Sequence, residues 1–138
     1  MRREVAFSVV GQPRPKGSTR AFVPKGWTRP VVTAASPTTK HWEKAVHEAA
    51  QSEGFPVGGG GFRVRLAFVL PRPKRLAGKS AEHTSRPDVD KLCRCVLDAL
   101  TGVAWKDDAQ VTCLRATKRY ARITEEPRVD IVFTEAME

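Results

Sequence analysis

Two short runs of residues carry the side chains best suited to chemistry in this chain. Asp88 and Asp90 lie in the run R-P-D-V-D-K, and Asp107 and Asp108 lie in the run W-K-D-D-A-Q. Carboxylates brought together repel one another unless a divalent cation lies between them. Hard oxygen ligands favour magnesium or manganese over zinc or copper. Such a site suits phosphodiester hydrolysis, because the metal orients the phosphate, lowers the pKa of the attacking water and offsets charge on the leaving oxygen.

The spacing of the two runs would allow their aspartates to meet. The proline before Asp88 disfavours helix in the residue that precedes it, so we expect an extended segment in which Asp88 and Asp90 face the same way. A helix over residues 91–101 is about 16 Å long at 1.5 Å per residue. A turn at Gly102 and an extended return of about 20 Å would bring Asp108 back beside the start of that helix.

Plainer interpretations of these aspartates stay open at this stage. Aspartate is favoured at a helix N-cap and near the positive end of the helix dipole, which is enough to explain one of Asp88 and Asp90. A surface turn is enough to explain Asp107 and Asp108 taken alone. The cations near the two runs that could stabilise charge on a phosphoryl group are Lys91, Arg94 and Lys106.

Apolar periodicity predicts the elements that must position these residues. The predicted strands cover residues 5–10, 62–70, 111–120 and 129–133. One helix is predicted to start at Ser36-Pro37 and to end at Gly54, and a second covers residues 91–100. Residues 21–35 stay ambiguous, and Gly58–Gly61 is interpreted as a hinge or turn. The order of elements favours an α+β fold with a mixed β-sheet and two main helices, forming a single domain over residues 1–138.

The composition indicates a basic protein with a polyanionic partner. The 138 residues include 24 Lys and Arg against 15 Asp and Glu, a formal net charge of +9. A surplus of this size is typical of nucleic-acid binding, and a solvated basic surface is the alternative. No apolar run approaches the roughly 18 residues of a membrane span, so we expect no membrane partner and a cytoplasmic location. No loop resembles a nucleotide-cradling loop, which argues against a small-molecule cofactor and a small-molecule enzyme.

The cysteines predict no disulfide framework. Cys93 and Cys95 form a C-x-C pair, which is not the spacing of a zinc ribbon, and Cys113 makes the number odd. Buried free thiols are the favoured interpretation, with zinc ligation as the alternative.

Residues 86–111 resemble the RusA family of Holliday junction resolvases, known from phages and prophages. That family shows D-x-D-N-L-x-K at the start of a helix, then D-A-L, then W-x-D-D-x-Q-V, and residues 13–17, P-R-P-K-G, are similar to its N-terminal segment. The resemblance implies metal binding by Asp88, Asp90 and Asp108, and Asp107, beside Asp108, is a further candidate metal ligand. The family's catalytic lysine falls at Arg94. The resemblance therefore implies that the catalytic residues are Asp88, Asp90, Asp108 and Arg94.

The same resemblance implies a magnesium-dependent endonuclease, with manganese as a possible substitute, that makes paired symmetric nicks in four-way DNA junctions during recombination or repair. It also implies a homodimer, which suits a junction of nearly two-fold symmetry. The family's asparagine is replaced by Lys91, which could pair with an aspartate or contact phosphate. The residues expected to face DNA are Arg14, Lys16, Arg20, Lys74, Arg75, Lys91 and Lys118, with Arg115 and Arg119 as further candidates. The alternatives are a non-catalytic DNA-binding module of the same fold and a nuclease acting on other branched DNA.

Overall fold

Alternating apolar residues form a four-stranded sheet in the computed structural model, which describes residues 2–17, 20–22, 25–26, 31–33 and 37–136. Its strands are β1 (Arg2–Val10), β4 (Phe62–Leu70), β5 (Val111–Tyr120) and β6 (Arg128–Ala136). The order across the sheet is β1-β6-β4-β5. β6 pairs antiparallel with both of its neighbours, whereas β4 and β5 are parallel, so the sheet is mixed.

Two helices cover one face of this sheet in the described part of the chain. α1 spans Pro37–Ser52 and α2 spans Val89–Leu100. The side chains of β4 show why one face is covered. Its even-numbered residues from Phe62 to Leu70 are buried, while Arg63 and Arg65 between them are exposed. The core between helices and sheet includes Trp105, which is fully buried and packs against Phe62 at a ring-centroid distance of 5.1 Å.

The predicted α+β class, mixed sheet and two helices are confirmed. The ambiguous region contains a short antiparallel pair, β2 (Arg20–Phe22) and β3 (Val31–Thr33). Ser36, the predicted first N-cap, lies outside the described residues. Gly54 follows α1 with φ of +68°, the left-handed conformation expected after a helix. Among the described residues, no helix has the length and apolar character that crossing a membrane would require.

Candidate active site

The first pair of aspartates lies at the start of α2. The helix begins at Val89, two residues earlier than predicted, with Asp88 as its N-cap and Asp90 in its first turn. Asp88 has extended φ and ψ of −72° and 140°, and its side chain makes no capping hydrogen bond. The alternation of an extended chain, on which the expectation that Asp88 and Asp90 face the same way was based, therefore does not apply at Asp90, which is helical.

The chain returns from the end of α2 as predicted. Gly102 adopts φ of +90°, and its N–H donates to the carbonyl of Trp105 at 2.6 Å. Trp105 anchors the turn, because its ring is fully buried and its Nε1 donates to Thr101 Oγ1 at 3.2 Å. Asp108 follows at the start of a 3₁₀ turn, Asp108–Gln110, that leads directly into β5.

This return places Asp108 in the same cleft as residues of α2. Asp90, Arg94 and Asp108 line a cleft of about 380 Å³, which we call the aspartate cleft. Asp90 and Arg94 are four residues apart and so share one face of the helix. Both aspartates are exposed, and within the described residues neither carboxylate forms an ion pair. The other residues that line the cleft are Val89, Cys93, Leu97, Leu114 and Ala116.

Asp88 lies in a different environment from Asp90. It lines a second cleft, where Lys91 Nζ lies 3.6 Å from its Oδ2. Across the ranges that the structure describes, no three His, Cys, Asp or Glu side chains are arranged to hold a metal ion. The predicted meeting of three or four carboxylates is therefore not found. Asp88 lines the second cleft, whereas Asp90 and Asp108 line the aspartate cleft.

Asp107 has a local structural partner. Its Oδ1 accepts a hydrogen bond from the N–H of Ala109 at 2.9 Å, and the side chain of Gln110 accepts one from the N–H of Asp107 at 3.1 Å. These reciprocal bonds form a capping box that fixes the 3₁₀ turn. Asp107 therefore shapes the turn that presents Asp108.

Gln110 links this turn to the glycine segment before β4. Its Nε2 donates to the carbonyls of Gly58 and Gly60 at 3.0 and 2.9 Å, and its Oε1 also accepts from the N–H of Lys106 at 2.9 Å. Gly58 and Gly60 are 52 and 50 residues away in sequence, so local patterns gave no sign of the contact. The only sequence signal for Gln110 was its place in the family motif W-x-D-D-x-Q-V.

The glycine segment is itself fixed from the other side. The N–H of Gly60 donates to Glu135 Oε2 at 2.9 Å, and Arg3 pairs with the same buried carboxylate. The pairing with Arg3 and the Gly60 N–H lower the pKa of Glu135. A Cβ on Gly58 would overlap Glu135 Oε2, so this position has no room for a side chain. The segment predicted to be a hinge or turn is therefore a tightly packed support for the turn at Asp108.

Two of the lysines expected to face DNA are engaged within the protein. Lys16 Nζ lies 3.0 Å from Glu43 and 3.2 Å from Asp98. Burial opposes its charge, but these carboxylates raise the pKa of Lys16 overall. Lys118 Nζ donates to the carbonyls of Ser85 and Pro87 at 2.7 and 2.9 Å, which ties β5 to the segment before α2.

The remaining basic candidates occupy several surfaces. Lys74 and Arg75 are exposed in a 3₁₀ turn after β4, and Arg14 donates to Gln12 at 3.2 Å. Odd and even residues of β5 point to opposite faces, so exposed Arg115 and Arg119 lie on the sheet face away from α2. The side chain of Arg20 lies outside the described residues.

The cysteines are free, as predicted. Burial raises the pKa of Cys93 to about 11 and that of Cys95 to about 12, so both thiols are neutral at pH 7. Nearby Asp90 acts in the same direction on Cys93.

Comparison with known proteins agrees with this arrangement of motifs. The family model described as endodeoxyribonuclease RusA matches residues 6–133. The chain is also 29% identical, over 139 aligned positions, to the uncharacterized protein YqaN of Bacillus subtilis (strain 168), with 95% of this chain and 96% of that protein covered. The family match includes both aspartate runs, the whole of β4 and β5, and most of β1 and β6. This chain therefore belongs to the RusA endodeoxyribonuclease family.

Proposed function

We propose that this protein is a metal-dependent endodeoxyribonuclease that resolves four-way DNA junctions as a homodimer. The observation that carries the proposal is the aspartate cleft, where Asp90, Asp108 and Arg94 meet in a chain whose family is that of an endodeoxyribonuclease. The net charge of +9 supports a nucleic-acid substrate.

The donor set of the cleft fits magnesium or manganese. Asp90 and Asp108 offer exposed carboxylate oxygens with no cation paired to them in the described part of the chain. Mg²⁺ is usually held by one or two carboxylates together with water and substrate phosphate, so a closed cage of protein ligands is not required. Asp90 and Asp108 would hold the ion. The family resemblance implies Asp88 as a further ligand, but here Asp88 lines the neighbouring cleft beside Lys91. When bound, the metal supplies Lewis acidity and a nucleophilic water.

Arg94 supplies the fixed positive charge of the cleft. It lies one helical turn after Asp90 and lines the same cleft as Asp90 and Asp108. A guanidinium binds phosphate oxygens through two parallel hydrogen bonds, which would orient the phosphodiester and stabilise charge that develops on it. Arginine differs from the family's lysine in shape and hydration, so the substrate is expected to be held differently here.

A homodimer follows from the symmetry of the proposed substrate. Resolution of a four-way junction needs two matched nicks in strands related by an approximate two-fold axis. An isologous dimer presents two equal active sites related by such an axis. The aspartate cleft of each protomer would then cut one strand.

The test compares a labelled four-way junction with a linear duplex of the same sequence, in magnesium, in manganese and in chelator. Wild type is expected to make symmetric nicks in the junction only when a metal is present. Asp90→Asn and Asp108→Asn are expected to bind the junction and to lose cutting by at least about a hundredfold. Asp107→Asn is the matched control, because asparagine can keep the cap of the 3₁₀ turn.

Other outcomes would replace the proposal. Junction binding without cutting in either metal would make the chain a non-catalytic DNA-binding module. Cutting of flaps or forks in preference to junctions would make it a nuclease for other branched DNA. A monomer at concentrations that support symmetric cutting would overturn the dimer.

A further inference from the structure

A second cleft lies around α2 from the aspartate cleft. It has a volume of about 520 Å³ and lies between the loop Gln12–Gly17 and the segment Arg86–Lys91, and we call it the basic cleft. Lys91 lines it, whereas Asp90 lines the aspartate cleft, and consecutive residues of a helix are rotated by about 100°. The two clefts are therefore neighbours that share the first turn of α2.

We propose that the basic cleft binds one phosphodiester group of the DNA strand that is cut, while a neighbouring phosphate occupies the aspartate cleft. The proposal rests on the proposed function and adds a second, position-specific phosphate site to it. Arg14 and Arg86 are the residues that would contact the phosphate.

The charges of the basic cleft single out these two arginines. Lys16 is committed to the carboxylates of Glu43 and Asp98, and Lys91 lies beside Asp88. Within the described residues, neither Arg14 nor Arg86 pairs with a carboxylate. A guanidinium that is not committed to a protein carboxylate keeps its planar donor groups for phosphate oxygens.

The walls of the basic cleft are held in place before any ligand enters. The backbone N–H of Lys16 donates to the carbonyl of Lys91 at 3.0 Å, which joins the loop Gln12–Gly17 to α2. Lys118 holds the opposite wall through its bonds to the carbonyls of Ser85 and Pro87. A preorganised cleft loses less conformational entropy on binding, which favours a defined site over loose attraction to a basic surface.

The imidazole of His83 adds a polar group to the lining of the same cleft. His83 is 8% exposed and stacks on Tyr120 at a ring-centroid distance of 4.3 Å. Its Nδ1 is buried and has no hydrogen-bond partner among the described residues. Burial, together with the charge of Lys118, lowers the pKa of His83, which favours the neutral ring. A buried polar atom without a partner in the lining of a basic cleft is consistent with a site that receives a polar ligand.

The test measures the affinity of the protein for a DNA junction when a single arginine substitution is combined with a single uncharged phosphate linkage. Junctions are prepared with one methylphosphonate linkage at each position within about three nucleotides of the cleavage point. Binding is measured in chelator on an Asp108→Asn background, so that the result does not depend on cutting. Arg86→Gln and Arg14→Gln are compared with Arg65→Gln, which removes an exposed arginine from the opposite sheet face.

On the unmodified junction, Arg86→Gln is expected to weaken binding by about tenfold, the effect of one charge-assisted hydrogen bond. It should also lower the slope of log affinity against log salt by about 1. At one methylphosphonate position the same substitution should have no further effect, because the contact is already lost. Arg14→Gln should show the same coupling at that position, and Arg65→Gln should show it at none.

If Arg86→Gln weakens DNA binding equally at every methylphosphonate position, or behaves like Arg65→Gln, the basic cleft is not a specific phosphate site. General electrostatic attraction of DNA to the basic surface would then explain the binding. Thermal unfolding of each variant shows whether the fold is intact. A protein that shows the positional coupling but never cuts DNA would refute the proposed nuclease function alone. A protein that cuts junctions without the coupling would refute the basic cleft alone.

Discussion

Gln110→Ala is expected to loosen the turn that carries Asp108. The glutamine side chain makes four hydrogen bonds, two to the carbonyls of Gly58 and Gly60 and two from the N–H groups of Lys106 and Asp107. Truncation to alanine removes all four at once. The capping bond from Ala109 to Asp107 survives, so the turn loses its support without losing its cap.

The expected magnitude follows from these bonds. A hydrogen bond contributes about 0.5–1.5 kcal/mol net, so four give at most about 6 kcal/mol. Partial exposure of the site lets water replace some of them, and we expect the free energy of unfolding to fall by about 2–3 kcal/mol. For a chain of this size, about 3–4 °C in Tm accompanies each kcal/mol, so the midpoint should fall by about 6–12 °C.

The assay pairs thermal unfolding with junction cleavage well below the lowered midpoint. Displacement of a catalytic group by about 1 Å costs on the order of a hundredfold in rate, so kcat should fall between tenfold and a hundredfold. KM should change little, because the basic residues stay in place. Gln51→Ala, at an exposed position in the last turn of α1, is the control. A Gln110→Ala protein that matches Gln51→Ala in both Tm and kcat would refute the idea that Gln110 holds the turn.

Three further predictions concern neighbouring features. Asp107→Asn should cut junctions at a rate within about twofold of wild type. Asp107→Ala should lose the cap and with it about 1 kcal/mol of stability. Loss of cutting in a stably folded Asp107→Asn protein would make Asp107 a metal ligand instead. Gly58→Ala should lower the free energy of unfolding in urea by about 1–3 kcal/mol, because the added Cβ meets the Glu135 carboxylate. Gly59→Ala should not, because a Cβ at Gly59 has no neighbouring atom within 4 Å. Equal effects of the two substitutions would contradict the tight packing. Burial raises the pKa of Cys95 from 9.0 to about 12, so the unfolded chain releases this proton first and stability should fall as pH rises from about 9 towards 12. Urea unfolding across that range should show a shallower fall in Cys95→Ala, and parallel curves would argue against the shift.

Local patterns were sufficient to predict most of the fold. Alternation of apolar and charged residues from Phe62 to Leu70 predicted a strand with one buried face, and β4 has that burial pattern. Gly102 was predicted to turn the chain back towards α2, and Asp108 lies in a cleft with residues of that helix. These features depend on residues close in sequence, where steric and periodic rules act directly.

The contacts that complete the site could not be predicted in this way. The start of α2 at Val89 put Asp90 in a helical turn and not in the expected extended segment, and a shift of two residues is within the usual uncertainty of helix ends. The bonds of Gln110 to Gly58 and Gly60 join segments that only the folded sheet brings together. Lys16 likewise is a residue type that commonly contacts DNA, yet its ion pairs with Glu43 on α1 and Asp98 on α2 give it a structural role.

The position of β6 has a consequence for how the protein is made. This strand comes after the other strands in the described residues, yet it lies between β1 and β4 in the sheet. During synthesis, β1 has no neighbour in the sheet until residues 128–136 leave the ribosome, and Val5 must find Phe133 across 128 residues of sequence. Pairings of such long sequence separation form slowly, because loop closure precedes any gain from contact. Glu135, which supports the glycine segment behind Asp108, arrives with the same strand. The cleft should therefore be complete only after residues 128–136 have left the ribosome, and a nascent chain should have no cutting activity before β6 is inserted.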